Sequence, residues 1–152
     1  MSRIIVAPHC DDEIIGCFIE IKKGIDRVIF VEWNEERKSE AEKVAEVCKF
    51  EPIFDYWFEK YVKEEDILFV PCMLDAHLDH KAVNERAKKL KVRKLIAYTV
   101  DKNIPCIELN GRLREEKRWV LGLYRSQQKY DEINELYIRY EGYLEIVRSV
   151  VE

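Results

Sequence analysis

The fold is decided near the amino terminus by residues 3–15, RIIVAPHCDDEII. Residues 3–8 are mostly apolar and β-branched, which is typical of a strand buried on both faces of a parallel sheet. Asp11 and Asp12 then indicate the start of a helix, because carboxylates are favoured in the first helical turn. Apolar residues continue at helical spacing until Gly24 ends the helix. A buried strand that passes directly into an amphipathic helix predicts the first half of a β-α-β unit.

The same alternation of strand and helix continues along the chain. Further strands are predicted at residues 27–33, 51–58, 66–72 and 94–100, with a short sixth strand at 104–109. Amphipathic helices are predicted between them, at residues 35–49 and around residues 82–90. Two helical stretches close the chain, and an apolar stripe marks the second: Ile133, Leu136, Tyr137, Tyr140, Leu144 and Val147. The tyrosines of this stripe are interpreted as core packing. The pattern predicts an α/β fold, a three-layer sandwich with a mostly parallel sheet of five to six strands.

Composition narrows the class of protein. With 152 residues, the chain is expected to form one domain. It is 47% hydrophobic and 37% charged with a net charge of −4, which excludes a disordered chain and argues against a nucleic-acid binder. We expect no membrane span and no signal peptide, because no apolar run is long enough. Five cysteines without a CxxC pair predict reduced thiols and a cytoplasmic protein. Three tryptophans and eight tyrosines provide apolar surface for a homo-oligomeric interface.

All three histidines of the chain follow predicted strands. His9 comes just after the first strand, whereas His77 and His80 come just after the fourth. A doubly wound sheet places these two strands side by side where the strand order reverses, and ligands bind beyond the carboxyl ends of the strands there. We therefore expect the two stretches, although distant in sequence, to meet in one crevice.

Each stretch has the residue types and spacing of a metal site. His9 and Asp12 are three residues apart, as are His77 and His80, so the members of each pair can face a common atom. Two imidazoles and one carboxylate are a common ligand set of catalytic zinc, which leaves one position for water. In such a site Asp11 and His77 would serve as acid-base groups near the metal.

Simpler interpretations exist for the same residues taken singly. Asp11 and Asp12 alone are most often helix caps, and either His77 or His80 alone is more often a loop residue than a ligand. Their occurrence together at the ends of strands favours a metal site. Asp79 could then orient an imidazole from behind the ligands.

Four motifs in this sequence resemble those of a known enzyme family. Residues 7–13, APHCDDE, are similar to the A-H-P-D-D-E signature of the PIG-L/LmbE-like zinc-dependent de-N-acetylases, and residues 77–80, HLDH, to its H-x-D-H signature. Residues 37–40, RKSE, match its R-x-x-E element, and residues 124–127, YRSQ, match its Y-x-S-Q element. The four motifs occur in the order in which the family has them.

The resemblance implies a Rossmann-like fold in a single domain, residues 1–152, and hydrolysis of an N-acetyl group, typically on an N-acetylglucosamine conjugate. It also implies Zn²⁺, or another divalent transition metal, as the cofactor and a small N-acetylated molecule as the substrate. The matched positions supply the implied site residues: His9, Asp12 and His80 as metal ligands, Asp11 as general base, His77 as stabiliser of the oxyanion, Arg37 and Gln127 as substrate contacts, and Glu13 and Asp79 around the ligands.

The chain departs from the family pattern at two places. Cys10 stands where the family has proline, and residues 32–35, EWNE, lack the family's common Thr and Gly. Two other functions remain open: a non-catalytic Rossmann-like binding module or partner subunit that keeps a relic metal site, and metal-dependent hydrolysis of a phosphoester, which usually needs a second metal or a basic clamp. Arg37 and Glu40, three residues apart on a helix, also have the simpler interpretation of an exposed ion pair.

Overall fold

Strands and helices alternate along the computed structural model, which describes residues 1–101, 106–142 and 144–149. The first eight elements are β1 (Arg3–Ala7), α1 (Asp12–Lys23), β2 (Arg27–Phe30), α2 (Glu35–Cys48), β3 (Glu51–Phe54), β4 (Ile67–Pro71), α3 (Leu78–Lys88) and β5 (Lys94–Tyr98). The later elements are β6 (Cys106–Glu108), α4 (Gly111–Leu121), α5 (Asp131–Arg139), β7 (Tyr140–Gly142) and β8 (Glu145–Ser149). Short 3-10 helices occur at Phe58–Tyr61 and Arg125–Tyr130.

The main sheet has six strands in the order β3-β2-β1-β4-β5-β8. The first five are parallel to their neighbours, and β8 runs antiparallel to β5 at the edge. The prediction of an α/β fold with a mostly parallel sheet is therefore confirmed. The strand order reverses between β1 and β4, which lie side by side as the sequence predicts, and a ligand-binding crevice is expected beyond their carboxyl ends.

Alternate residues of β1 enter two apolar clusters on opposite faces of the sheet. Ile5 and Ala7 pack in the cluster that contains residues of α1, α2 and α4, whereas Ile4 and Val6 pack with residues of α3. The sheet is thus the middle of three layers. Among the described residues, no helix is both long enough and apolar enough to cross a membrane.

The carboxyl-terminal part of the chain differs from the sequence prediction. The prediction of a final helix that continues through Val147 is wrong, because α5 ends at Arg139 and the chain continues as β7 and β8. β6 pairs with β7 in a separate sheet, and β8 takes the edge position in the main sheet. Ile104, in the predicted sixth strand, lies outside the described residues. The helix ends where Tyr140–Gly142 pair antiparallel with Cys106–Glu108, and at Gly142 the chain lies so close to the end of β5 that a Cβ would overlap the side chain of Thr99.

Helix α1 is bent at Cys17, whose backbone angles (φ −132°, ψ 22°) leave the helical region. At this bend the Ile19 amide donates to Glu141 Oε1 at 3.1 Å. The Ile15 carbonyl accepts from Lys117 Nζ at 2.9 Å, and this Nζ lies 3.2 Å from Glu141 Oε2. Both charged side chains are buried. In a regular helix the Ile19 amide would bond to the Ile15 carbonyl, but here each of these groups bonds to a member of the ion pair. The ion pair therefore joins α1 to α4 and β7.

Candidate metal centre and active-site pocket

The turn between β1 and α1 has a strained backbone at Asp11. Its angles (φ 118°, ψ −25°) lie in a region that residues other than glycine rarely adopt. Two carboxylates of the first helical turn stabilise this strained conformation. Glu13 Oε1 accepts a hydrogen bond from the Asp11 amide at 2.8 Å, and Asp12 Oδ2 accepts one from the His9 amide at 2.9 Å. Such strain persists where the surrounding contacts fix it, most often at functional sites. The turn places three chemically active side chains at the carboxyl edge of the sheet.

His9, Asp12 and His80 lie together beyond the ends of β1 and β4. Each offers one ligand atom, and these atoms all lie within 4.8 Å of one another. Asp12 Oδ2 is 3.3 Å from His80 Nε2 and 3.5 Å from His9 Nδ1. Two imidazole nitrogens and one carboxylate oxygen are the donor types of a catalytic zinc site, so these residues fit a divalent transition metal.

His80 is held from behind by Asp75, a residue that the sequence pattern does not single out. Asp75 Oδ2 lies 3.0 Å from His80 Nδ1, and Asp75 is only 1% exposed. The Asp75 carboxylate also accepts hydrogen bonds from the Thr99 hydroxyl and from the amides of Val100 and Asp101. When neutral His80 donates a hydrogen bond from its Nδ1–H to Asp75, Nε2 carries the lone pair. This lone pair faces Asp12, in the orientation that metal binding needs.

The Nε2 atom of His9, which is the ring nitrogen that does not face Asp12, lies near two partly exposed carboxylates. Asp79 Oδ2 lies 2.9 Å from His9 Nε2, and Glu32 Oε2 lies 3.5 Å from the same atom. Asp79, expected from the sequence to orient an imidazole, thus contacts that of His9. Glu32, at the end of β2, is a neighbour that the sequence alone does not indicate.

A pocket of about 460 Å³ opens over this cluster. The residues that line it are His9, Asp11, Asp12, Ile15, Arg37, His77, His80, Val100, Gln127 and Tyr137. Arg37 Nη2 donates to Asp11 Oδ2 at 3.3 Å. The ring of His77 is stacked near that of His80, with centroids 5.2 Å apart. All residues implied as ligands, acid-base groups and substrate contacts therefore face one cavity.

The remaining motif residues connect elements behind the pocket. Glu13 Oε2 accepts from Tyr124 Oη at 2.6 Å. Glu40 accepts from the amide and the hydroxyl of Ser126, at 2.8 Å and 2.5 Å. These bonds, of which that between Tyr124 and Glu13 is buried, hold the late motif against α1 and α2, which brings Gln127 to the pocket. Arg37 and Glu40 thus have different partners, and the interpretation as an exposed pair with one another is wrong.

The ligand cluster has strongly shifted acid-base properties. Burial lowers the pKa of His80, but its hydrogen bonds to Asp12 and Asp75 outweigh burial and raise that pKa to about 10. The hydrogen bond to Asp12 likewise raises the pKa of His9. Burial raises the pKa of Asp12, yet the two imidazoles hold it well below the usual range of a carboxyl. In the cluster without metal, each imidazole and the Asp12 carboxylate therefore stabilise one another's charged forms.

The pKa values of two carboxyl groups beside the cluster are raised, whereas that of Asp12 is lowered. Burial, followed by the negative charge of Asp12, raises the pKa of Asp11 well above its ordinary value, although the Arg37 guanidinium opposes the shift. Burial also raises the pKa of Glu13 to about 7, against the hydrogen bond from Tyr124. A raised pKa makes Asp11 a stronger base for proton transfer.

Cys10, which stands in the place of the family's proline, is a buried neutral thiol. It is 0% exposed, and burial holds its pKa well above the usual range of a thiol. Among the described residues, neither group of clustered ligand atoms includes Cys10.

Metal binding is expected to release protons. His80, with a pKa of about 10, is protonated at neutral pH in the metal-free protein, and it must lose its Nε2 proton to become a ligand. At least one proton should leave for each ion bound, and the apparent affinity should rise about tenfold for each pH unit between about 6 and 9. Isothermal titration of Zn²⁺ in buffers of different ionisation enthalpy measures this release.

The control for this titration is His77→Ala, which removes an imidazole of the same pocket that is outside the ligand cluster. Its proton release should equal that of the unmodified protein. Binding without proton release at neutral pH would contradict the assignment of His80 as a ligand.

Comparisons with known proteins support the fold. No protein-family model matches the chain, and no curated protein matches it by sequence. N,N'-diacetylchitobiose deacetylase from Pyrococcus horikoshii is similar in structure, with 16% sequence identity, a TM-score of 0.70, and coverage of 95% of this chain and 83% of that chain. The zinc-inhibited form of teicoplanin deacetylase Orf2 is 10% identical, with a TM-score of 0.68 and coverage of 91% and 90%.

A protein of another activity shares the fold to the same degree. GalB, the 4-carboxy-2-hydroxymuconate hydratase from Pseudomonas putida KT2440, is 13% identical, with a TM-score of 0.69 and coverage of 100% of this chain and 98% of that chain. At these identities the similarity shows the fold alone. The resemblance to deacetylases of the PIG-L/LmbE type is therefore confirmed as a resemblance in fold, and the Rossmann-like α/β architecture is confirmed with it.

Proposed function

We propose that residues 1–152 form one domain of a metal-dependent hydrolase, which removes an N-acetyl or related acyl group from an amino-sugar conjugate or a similar small amide. One observation carries the proposal: the ligand atoms of His9, Asp12 and His80 lie within 4.8 Å of one another, and Asp11 lines the same pocket from the same turn. A water-activating centre and a base for that water are thus adjacent.

The ligand cluster would hold Zn²⁺ or another divalent transition metal. When bound, such an ion supplies a Lewis acid that polarises an amide carbonyl and acidifies water. The chain's own contribution is to fix the ligands: Asp75 orients His80, and Asp79 orients His9.

Asp11 is the general base of the proposed reaction. It lies outside the ligand cluster, and its carboxylate lines the pocket next to Arg37. As water attacks the carbonyl carbon of the amide, Asp11 takes the proton of that water. The strained turn keeps this carboxylate at the edge of the sheet, and the hydrogen bond from Arg37 limits its rotation.

Arg37 supplies positive charge to the pocket, and Arg37 and His77 both supply hydrogen-bond donors to it. Negative charge develops on the carbonyl oxygen in the tetrahedral intermediate, and a protonated His77 can donate a hydrogen bond to it. The departing amine needs a proton, which Asp11 or His77 returns. Arg37 and Gln127 contact the substrate at the wall of the pocket.

The pocket suits a small molecule. Its volume of about 460 Å³ lies within the usual range of small-molecule sites, roughly 300–1,000 Å³. A similar deacetylase is named for a diacetylated sugar, N,N'-diacetylchitobiose, which supports an N-acetylglucosamine unit as the substrate. We propose a cytoplasmic enzyme that needs no nucleic-acid partner.

A second candidate is hydration of a carbon–carbon double bond in a small carboxylic acid. The coverage of 100% of this chain and 98% of GalB favours it, because the two chains match over nearly their whole lengths. Water activation by a metal and Asp11 would serve both reactions, and Arg37 would bind a substrate carboxylate.

The deciding experiment incubates the Zn²⁺-reconstituted protein with N-acetylglucosamine, with N,N'-diacetylchitobiose and with unsaturated carboxylic acids. The proposal expects stoichiometric release of a primary amine and acetate from an N-acetylated sugar, in an amount that depends on metal loading. Loss of ultraviolet absorbance from an unsaturated acid without amine release would favour the hydratase. Tight metal binding with no turnover of either class would favour a non-catalytic binding module.

A further inference from the structure

The imidazole of His9 has carboxylate partners at both of its ring nitrogens. Nδ1 lies 3.5 Å from Asp12 Oδ2, within the ligand cluster described above. Nε2 lies 2.9 Å from Asp79 Oδ2 and 3.5 Å from Glu32 Oε2. Either nitrogen of an imidazole can bind a metal ion, and the partner of one nitrogen affects the other. His9 can therefore belong to two metal sites, one at each nitrogen.

The ligand atoms of His9, Glu32 and Asp79 form a second compact group, which we call the outer cluster. These atoms all lie within 4.8 Å of one another, the same limit that holds for the ligand cluster. One imidazole nitrogen and two carboxylate oxygens are donors that Zn²⁺ and similar divalent ions bind. The side chains of Glu32 and Asp79 are about half exposed, at 53% and 50%, so water can supply the remaining ligands.

Backbone contacts hold the residues of the outer cluster in place. The Glu32 amide donates a hydrogen bond to the Pro8 carbonyl at 3.0 Å, directly before His9. Asp79 lies in the first turn of α3. Glu32 also belongs to the stretch after β2 in which this chain departs from the family pattern. The outer cluster is therefore a feature of this sequence.

The two carboxylates of the outer cluster repel one another. Their oxygens lie within 4.8 Å of each other, close enough for ionised groups to interact strongly. In the described part of the chain, neither Glu32 nor Asp79 forms an ion pair with a lysine or arginine, and both face the ring of His9. That ring carries at most one positive charge, which also faces Asp12. A divalent ion between the carboxylates would remove their repulsion.

We propose that the outer cluster is a second divalent-cation site, which shares the His9 ring with the ligand cluster. The inference goes beyond the proposed function and does not depend on it, because it concerns metal binding without substrate. With one ion on Nδ1, the neutral ring carries its proton on Nε2, and an outer ion displaces that proton to water. The outer ion also takes the Asp79 carboxylate away from the ring. The two ions should therefore weaken one another's binding by the same factor.

The test is equilibrium dialysis of the metal-free protein against Zn²⁺, with bound metal measured by atomic emission. The unmodified protein should bind two ions, the second more weakly. Glu32→Gln should keep the tight ion and lower the affinity for the second at least about tenfold, because losing a ligand costs no less than losing a group that orients one. Circular dichroism checks that each variant is folded.

A second variant tests whether the two sites share His9. His80→Ala removes a ligand of the inner ion and should leave one ion bound, in the outer cluster. This ion should bind more tightly than the second ion of the unmodified protein, since no ion on Nδ1 opposes it. Adding Glu32→Gln to His80→Ala should then weaken the remaining ion as well.

The matched control is Glu35→Gln, which removes an exposed carboxylate from the first turn of α2, outside the outer cluster. Both ions should bind to it as they do to the unmodified protein. A single ion in the unmodified protein, or an unchanged second ion in Glu32→Gln, would overturn the outer site. An ion in His80→Ala that binds no more tightly than the second ion of the unmodified protein would overturn the sharing of His9.

Discussion

Asp11→Asn is expected to lower kcat by at least about 100-fold while the protein keeps its metal. An amide has nearly the shape of the carboxylate but cannot take a proton from water at neutral pH. The replacement also suits the backbone, because asparagine tolerates positive φ better than other residues with a side chain. Its amide oxygen can still accept the hydrogen bond from Arg37, so the turn should persist. Steady-state kinetics on the substrate found in the amine-release assay, with metal content by atomic emission, tests this expectation.

Glu35→Gln is the matched control for this variant. It removes one carboxylate from an exposed position in the first turn of α2, and both activity and metal content should stay unchanged. Two outcomes would contradict the assignment of Asp11. Loss of the metal in Asp11→Asn would make Asp11 a ligand, and unchanged kcat would place the general base at another residue.

The adjacency of β1 and β4 and the position of the crevice could be predicted because local patterns indicate the strands and the rules for doubly wound sheets place those two side by side. The apolar run before Pro8 and the acidic pair after it indicate a strand and a helix with no knowledge of the rest of the chain. Connections between parallel strands are right-handed, which leaves few sheet orders to consider. The meeting of His9 with His80 follows from that order and from the general position of ligands at a strand reversal.

Other features depend on contacts between distant residues, and the sequence alone does not indicate them. Asp75 lies in a loop, where a carboxylate is ordinarily exposed, but it is buried because Thr99 and His80 surround it. Glu40 has the spacing of a surface ion pair, and its bond to Ser126 exists only after the late motif folds back onto α2. The sequence prediction misses the carboxyl-terminal strands for the same reason. Periodicity over residues 133–147 fits a helix, but β7 and β8 form by pairing with β6 and β5, which are distant in sequence.

The second large effect is expected for stability, at the ion pair in the bend of α1. Glu141→Gln should lower the free energy of unfolding by about 3 kcal/mol or more, because it removes the carboxylate charge that pairs with the buried ammonium of Lys117. The glutamine can still accept a hydrogen bond from the Ile19 amide, so the loss reports the broken ion pair rather than a missing backbone bond. Urea denaturation followed by circular dichroism, with the slope against denaturant held common, measures the change.

A pair between α4 and α5 provides an exposed control. Arg118 bonds to both carboxylate oxygens of Glu135, at 2.7 Å and 2.9 Å, but this pair is exposed. Glu135→Gln should therefore change the stability little, since water screens exposed charges. The double variant Lys117→Met with Glu141→Leu should recover part of the loss, because apolar side chains of similar size replace the buried charges together. If Glu141→Gln is no more destabilising than Glu135→Gln, the buried pair does not stabilise the bend. If Glu141→Gln lowers the stability but leaves the metal affinity unchanged, the first turn of α1, which Asp12 and Glu13 stabilise, is ordered independently of the bend. The bend lies five residues further on, roughly one and a half helical turns away.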